Sequence, residues 1–223
     1  MSEFVKLRAA DGHELSAYVA LPAGEPIAAL VVIQEIFGVN AHIRSVADGY
    51  AKDGFLCVAP ALFDRIQSGI DLGYEGEDMQ IARSMIPKLN INNAVADMQA
   101  AIEYAASTSG KNAGVIGYCF GGTLAWLAAT RLRPRAAVGY YGGQIGNYAT
   151  ETPSCPVMFH FGTQDAHIPA AEVDKVQAAH PEVEIHWYEA GHAFNCEPRT
   201  SYNAAAAKEA RERSLAFLKK HLA

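Results

Sequence analysis

The sequence predicts a single-domain α/β protein, residues 1–223, with a mostly parallel central sheet and helices on both faces. Short apolar runs with strand character alternate along the chain with segments whose apolar residues recur at helical spacing. This alternation is typical of parallel sheets in which a helix connects one strand to the next. A chain of 223 residues is long enough for one large α/β domain and short for two ordinary ones.

The N-terminal half begins with an antiparallel edge. Residues 3–8 and 15–21 are strand-like and are joined by an Asp-Gly dipeptide, which is typical of tight hairpin turns. The continuous apolar run 28–33 is expected for a central parallel strand covered on both faces. The next elements are predicted in the order helix 41–52, strand 55–60, helix 78–88 and helix 92–106. Residues 61–76 have glycines and no periodicity, so we expect a long loop over the carboxyl edge of the sheet.

The C-terminal half continues the alternation. Its predicted elements are strand 113–117, helix 120–131, strand 136–141, strand 157–162, helix 170–179, strand 183–188 and an amphipathic helix over 202–221. Polar residues follow several of these strands directly. Because the carboxyl ends of parallel strands share one edge of the sheet, where ligands bind, residues distant in sequence are expected to meet there.

The segment Gly-Tyr-Cys-Phe-Gly-Gly at 117–122 reads as strand, sharp turn and helix, with Cys119 at the apex. Glycines on both sides of the cysteine allow the strand and the helix to approach closely while the apical residue adopts a strained conformation. A helix that begins here aims free N–H groups and its positive dipole end at the sulfur, which favours the thiolate. The pattern predicts a nucleophile elbow with sulfur in place of oxygen. The alternative is a small cysteine that only packs between strand and helix.

Two further polar residues follow strands in the order expected of a catalytic triad. Asp165 comes after strand 157–162, and His192 comes after strand 183–188. The order nucleophile, acid, histidine is that of α/β hydrolases. Cys119 would attack a carbonyl carbon, His192 would move its proton, and Asp165 would orient the imidazole. Separately, Asp165 could cap the following helix, and His192 could be an ordinary loop histidine.

The segment after strand 28–33 supplies the remaining candidate groups. The N–H groups of Ile36 and Phe120 are the oxyanion donors that this geometry offers. Glu35 precedes the first of them and is expected within reach of Cys119, where a carboxylate could accept the thiol proton or restrain the sulfur. A solvated loop acid is the other interpretation of Glu35.

Candidate substrate-binding residues are aromatic, with one arginine from the region of the predicted loop: Phe37, Arg83, Tyr141 and Phe194. Arg83 would meet an anionic substrate. His160 and His167 flank Asp165, but their spacing fits no zinc pattern, so we expect neither a metal site nor a cofactor.

Composition points to a small-molecule partner. The net charge of −6 comes from dispersed acids, and the 18 Lys and Arg form no stripe, so neither nucleic acid nor an anionic membrane is an expected partner. The four cysteines are far apart and fit free thiols in a reducing cytoplasm. The N-terminus has no signal-peptide pattern, and no apolar run approaches the ~20 residues that a bilayer requires.

At these residues the chain resembles the dienelactone hydrolase family of α/β hydrolases. The matching segments are Gln34-Glu35-Ile36-Phe37-Gly38-Val39-Asn40, Gly117-Tyr118-Cys119-Phe120-Gly121-Gly122, Gly139-Tyr140-Tyr141-Gly142, Gly162 with Asp165, and His186-Trp187-Tyr188 leading to Gly191-His192. The resemblance implies a cysteine hydrolase with Cys119, His192 and Asp165 as its triad and Glu35 coupled to the thiol. It also implies a cofactor-free cytoplasmic enzyme, often a monomer, that opens enol-lactones.

The resemblance also implies two arginines that hold a substrate carboxylate, and the chain departs from it there. Cys196 occupies the place of one arginine and Met79 falls near the place of the other, with Arg83 or Arg199 as substitutes. We therefore expect a hydrolase that opens a lactone or cleaves a small ester through an acyl-Cys119 intermediate. The alternatives are a general carboxylesterase or thioesterase, and a non-catalytic small-molecule binder or thiol sensor on the same fold.

Overall fold

A single eight-stranded sheet forms the centre of the molecule. The computed structural model describes residues 1–222. The strands are β1 Ser2–Arg8, β2 Glu14–Ala20, β3 Ala28–Ile33, β4 Phe55–Pro60, β5 Ala113–Tyr118, β6 Ala137–Tyr140, β7 Val157–Gly162 and β8 Glu184–Tyr188. They lie in the order β1-β2-β4-β3-β5-β6-β7-β8. Only the β1–β2 and β2–β4 pairs are antiparallel. The predicted α/β class, with a mostly parallel sheet, is confirmed.

Helices cover both faces of the sheet. They are α1 Ala41–Lys52, α2 Gly76–Met85, α3 Ile91–Ser109, α4 Phe120–Arg131, α5 Ala170–Ala179 and α6 Ala204–Leu222. On one face α3 and α4 pack against each other and against the central strands. On the other face α6 lies beside α1, joined by the ion pair between Arg211 and Asp53. Every residue of β3, β4, β5 and β7 is buried, which explains why these strands are almost entirely apolar, with His160 of β7 as the exception.

Two segments differ from the sequence prediction for local reasons. The helix predicted over 78–88 ends as an α-helix at Met85 and continues as a 3-10 turn, Ile86–Lys88, because Pro87 has no N–H to donate to an α-helical bond. The loop predicted over 61–76 contains a 3-10 helix, Leu62–Arg65. The Leu62 N–H donates to the side-chain oxygen of Gln34 at 3.1 Å, which ties this loop to the end of β3.

No helix within residues 1–222 is both long and apolar enough to cross a lipid bilayer.

Candidate active site

Cys119 lies at the sharp turn between β5 and α4. Its backbone has φ 54° and ψ −118°, a left-handed conformation that is unusual for a residue with a Cβ. The turn is held from both sides, since the Cys119 N–H donates to the carbonyl of Tyr140 at 3.0 Å and the Cys119 carbonyl accepts from the Gly122 N–H at 2.8 Å. The strain therefore persists because neighbouring elements fix it, and it projects the thiol from the carboxyl edge of the sheet.

Glycine is required where α4 meets the sheet. A Cβ on Gly117 would overlap the carbonyl of Gly121, one turn into the helix. A Cβ on Gly121 would overlap the carbonyls of Ile33 and Gln34 at the end of β3. The close approach that these glycines allow places the start of α4, and with it Cys119, against the segment that follows β3.

The predicted triad is assembled in the structure. The Cys119 Sγ lies 3.3 Å from Nε2 of His192, and Nδ1 of His192 lies 2.7 Å from Oδ2 of Asp165. The Asp165 side chain is 1% exposed and that of His192 14% exposed. The second oxygen of Asp165 accepts from the His167 N–H at 2.8 Å, so the carboxylate is held in place at both oxygens. The three residues form one hydrogen-bonded chain from thiol to carboxylate.

The electrostatics of the triad favour a protonated His192 paired with an ionised Asp165. Burial opposes a charged imidazole, but hydrogen bonds to Asp165 and Cys119 outweigh it and raise the pKa of His192 to about 10. Burial would likewise raise the pKa of Asp165, yet the hydrogen bond from His192 lowers it below its ordinary value. The imidazole therefore holds a proton that it can deliver to a departing group.

The predicted oxyanion donors are the backbone N–H groups of two cavity residues. Ile36 and Phe120 line the same cavity as Cys119. Phe120 is the first residue of α4, so its N–H has no acceptor within the helix. Within residues 1–222 the Ile36 N–H also donates to no backbone carbonyl. Neither N–H group is engaged in a backbone hydrogen bond, and their role as oxyanion donors stays a prediction.

Glu35 is fully buried beside this centre. Neither carboxylate oxygen has a hydrogen bond of regular geometry among the described residues, although the Tyr74 hydroxyl and the Cys196 thiol lie close enough to lower the pKa of the carboxyl. Burial raises the pKa of Glu35, against the positive charges of Arg199 and His192. The hydrogen-bond partner of the Cys119 thiol is His192 rather than Glu35. The carboxyl therefore belongs to the surroundings of the triad, and its predicted coupling to the thiol stays a prediction.

A cavity of about 740 Å³ opens above the thiol. Phe37 and Arg83, two of the predicted substrate-binding residues, line it together with Arg199. Tyr141 and Phe194 do not line it. Both are fully buried, and the Tyr141 ring packs 5.2 Å from that of His192 and 5.4 Å from that of Phe194. These two aromatic residues form the wall behind the imidazole.

The histidines near Asp165 have separate roles. His160 is fully buried and bonds to the hydroxyl groups of Tyr188 and Ser214 at 2.9 Å each, which accounts for both of its ring nitrogens. His167 is exposed, lines the cavity and lies edge-on to His192 at 5.3 Å.

One group of side chains was not anticipated from the sequence. Glu35, His42 and Cys196 are all buried, and one donor atom from each lies within 4.8 Å of the other two. His42 belongs to the first turn of α1, and Cys196 lies four residues after His192. Three separate segments meet here, so no spacing within one segment could reveal the group.

Comparison with known proteins gives a consistent result. Residues 15–222 match the model of the dienelactone hydrolase family. A carboxymethylenebutenolidase of Pseudomonas putida is 36% identical over 98% of this chain and 96% of its own length. A putative carboxymethylenebutenolidase of Synechocystis sp. is 32% identical, with 88% of each chain covered. The crystal structure of a putative dienelactone hydrolase from Klebsiella pneumoniae superimposes with a TM-score of 0.84 at 28% identity, covering 97% of this chain and 98% of that one.

Proposed function

The chain belongs to the dienelactone hydrolase family, and from this premise we propose that it hydrolyses a lactone or small ester through an acyl-Cys119 intermediate. That it is a hydrolase of ester or lactone bonds follows from the family and its carboxymethylenebutenolidase relatives. The proposal concerns the catalytic roles of Cys119, His192 and Asp165 and the acyl-enzyme mechanism. The observation that carries it is the continuous hydrogen-bonded chain from Cys119 through His192 to Asp165 at the floor of a cavity.

Acylation uses the groups in the order in which the structure arranges them. The Cys119 sulfur attacks the carbonyl carbon and forms the C–S bond, and the carbonyl electrons move to oxygen. The N–H groups of Ile36 and Phe120 stabilise that oxyanion. When it collapses, the ester C–O bond breaks, and His192 gives its proton to the departing oxygen. In a lactone this oxygen stays attached to the acyl group, so the product remains tethered as a thioester.

Deacylation reverses the roles. His192 accepts a proton from water as the water oxygen attacks the thioester carbonyl, and the same N–H groups stabilise the second oxyanion. The C–S bond then breaks, the acid is released, and the thiolate and imidazolium are regenerated. Asp165 keeps the imidazole in the orientation that both steps need. We include Glu35 in this machinery because its carboxyl is buried directly before the Ile36 donor and lies close enough to His192 to sense its charge.

The charge of the cavity supports a substrate that carries a carboxylate. Arg83 and Arg199 both line it, whereas no Asp or Glu does. Neither arginine forms an ion pair within residues 1–222. Arg199 is half-buried and lies over the rings of Phe37 and Tyr74, at 6.0 and 5.9 Å, which restrains its guanidinium. We propose that Arg199, assisted by Arg83, binds the carboxylate of an enol-lactone such as those that the relatives' name describes.

A side-by-side hydrolysis assay tests the function. The protein and its Cys119→Ala variant are compared on an enol-lactone carboxylate and on a neutral activated ester, with Cys155→Ala as a control for loss of a thiol outside the site. Because a triad acts as a unit, we expect Cys119→Ala to lose turnover by roughly 10⁴-fold or more. A thioester adduct of the substrate acyl group on Cys119 should appear in the mass spectrum of rapidly quenched enzyme.

The outcomes separate the alternatives. Undiminished hydrolysis by Cys119→Ala would refute the mechanism. Turnover that depends on Cys119 but favours the neutral ester would identify a general carboxylesterase on the same fold. Reaction of Cys119 with electrophiles, without turnover of either substrate, would support the binder or thiol sensor. We also propose that the protein acts in the cytoplasm, because its four free cysteines suit a reducing compartment.

A further inference from the structure

Glu35, His42 and Cys196 form a buried cluster of three different metal-ligating groups. A carboxylate oxygen, an imidazole nitrogen and a sulfur lie mutually within 4.8 Å. Glu35 and Cys196 are completely buried, and His42 is 8% exposed. The cluster lies behind the catalytic centre, between the segment after β3, the first turn of α1 and the loop that follows His192.

The polar atoms of this cluster lack the partners that burial demands. Both oxygens of Glu35 and Nε2 of His42 are buried without a hydrogen bond of regular geometry, although the Tyr74 hydroxyl and the Cys196 thiol lie near the Glu35 carboxyl. A buried polar atom without a partner costs about 1 to 3 kcal/mol, and more when it carries charge. Two of the three clustered side chains therefore carry buried atoms without a regular partner, which points to a group that bonds to them.

We propose that Glu35, His42 and Cys196 bind a divalent transition-metal ion of the Zn²⁺ class, with one coordination position left for water. Carboxylate, imidazole and thiolate are the three kinds of side chain that Zn²⁺ takes, and a thiolate ligand disfavours Mg²⁺ and Ca²⁺. One thiolate and one carboxylate balance the two positive charges of the ion, so the buried site becomes neutral. The thiol proton of Cys196 leaves for solvent as the ion binds.

The geometry needs only a small adjustment. Metal bonds of about 2.0 to 2.3 Å at tetrahedral angles place donor atoms about 3.3 to 3.8 Å apart. Separations of at most 4.8 Å thus close by about an ångström through rotation of side chains.

One of the three proposed ligands lines a cavity of its own. A second cavity, of about 380 Å³, lies against α1 and α6 and has His42 in its wall. An ion that enters there meets His42 first, without passing Cys119. His42 thus lines this second cavity and not the substrate cavity, whereas Glu35 belongs to the surroundings of the triad. Binding would hold Glu35 away from the catalytic residues, so the ion is expected to lower hydrolysis.

Cobalt binding in a variant that lacks the catalytic thiol tests the site. Co²⁺ is titrated into Cys119→Ser, which removes the competing Cys119–His192 pair, and the absorption spectrum is recorded. We expect one equivalent to produce a sulfur-to-cobalt charge-transfer band with the intense visible bands of a tetrahedral ion. Loss of even an outer-shell partner of a metal site costs about 10- to 100-fold in affinity, so adding Cys196→Ser or His42→Asn should weaken Co²⁺ and Zn²⁺ binding by more than that.

The matched control is Cys57→Ser in the same background, because Cys57 is an equally buried thiol on β4. It should leave the cobalt spectrum unchanged. Absence of a charge-transfer band at saturating Co²⁺, or a band that survives Cys196→Ser, would overturn the proposal. In the protein with Cys119 intact, Zn²⁺ should inhibit hydrolysis, and His42→Asn should keep its metal-free rate while losing that inhibition. Because the binding readout needs no turnover, it is independent of the proposed hydrolytic mechanism.

Discussion

Arg199 offers the most direct test of what the cavity recognises. The change Arg199→Gln removes a half-buried guanidinium that lines the cavity and lies over Phe37 and Tyr74. Glutamine keeps length and polarity but not charge. If Arg199 binds the substrate carboxylate, the variant should lose activity only on substrates that carry one.

The magnitude follows from the surroundings of each arginine. A hydrogen bond to a charged partner contributes about 1.5 to 3 kcal/mol, so Arg199→Gln should lower kcat/KM about 10- to 150-fold. Arg83 is exposed at the rim, where an ion pair is screened by water and contributes about 0 to 1 kcal/mol. Arg83→Gln should therefore lower kcat/KM by less than about fivefold, and added salt should diminish even that effect.

The assay compares an enol-lactone carboxylate with the same lactone whose carboxylate has become a neutral amide. Both variants should open the lactone ring of the amide derivative at the rate of the unchanged protein. This comparison also controls for any effect of Arg199 on Glu35. Equal losses on the two substrates would show that Arg199 supports the structure of the site and does not read charge. A larger loss for Arg83→Gln than for Arg199→Gln would reverse the assignment.

Three further predictions concern the triad and its support. Asp165→Asn should lower kcat by about 10³- to 10⁴-fold with little change in the unfolding transition, since it disrupts imidazole orientation; a loss below tenfold would contradict the assigned role. Gly121→Ala should destabilise the protein in urea by about 1 to 3 kcal/mol or prevent folding, because its Cβ meets the carbonyls that end β3, whereas Gly24→Ala, which meets nothing within 4 Å, should not. His192 has a raised folded-state pKa of about 10. Its protonation should therefore stabilise the folded protein fully below the unfolded pKa of 6.5, and this stabilisation should disappear as the pH rises through about 10. If a His192→Gln variant showed the same decline in unfolding free energy at alkaline pH, His192 would not be its cause.

Sequence reasoning succeeded where a residue's environment follows from local pattern. The buried strands β3 and β4 were predicted with their observed bounds because a strand covered on both faces tends to be apolar throughout. The triad could be selected because its members follow strand ends, and parallel strands bring those ends together. The elbow had its own signal in the glycines around Cys119.

What sequence reasoning missed depends on contacts between distant segments. The 3-10 helix at 62–65 is tied to Gln34, which no local pattern reports. Aromatic identity does not reveal whether a ring faces the cavity or lies behind it, which is why Tyr141 and Phe194 were selected with Phe37. The cluster around Glu35 combines three segments, and its signal, a set of buried atoms without partners, exists only in three dimensions.

The contact between Gly121 and the end of β3 has a consequence for how new specificities arise. It fixes the position of the turn at Cys119 relative to the segment that carries Ile36, so the geometry of nucleophilic attack does not depend on the rest of the cavity wall. Met79 and Arg83, which also line the cavity, come from α2, a separate short helix. Mutations in α2 can therefore change which substrates bind while leaving the positions of the reacting atoms unchanged. Substrate specificity can thus evolve separately from the catalytic geometry.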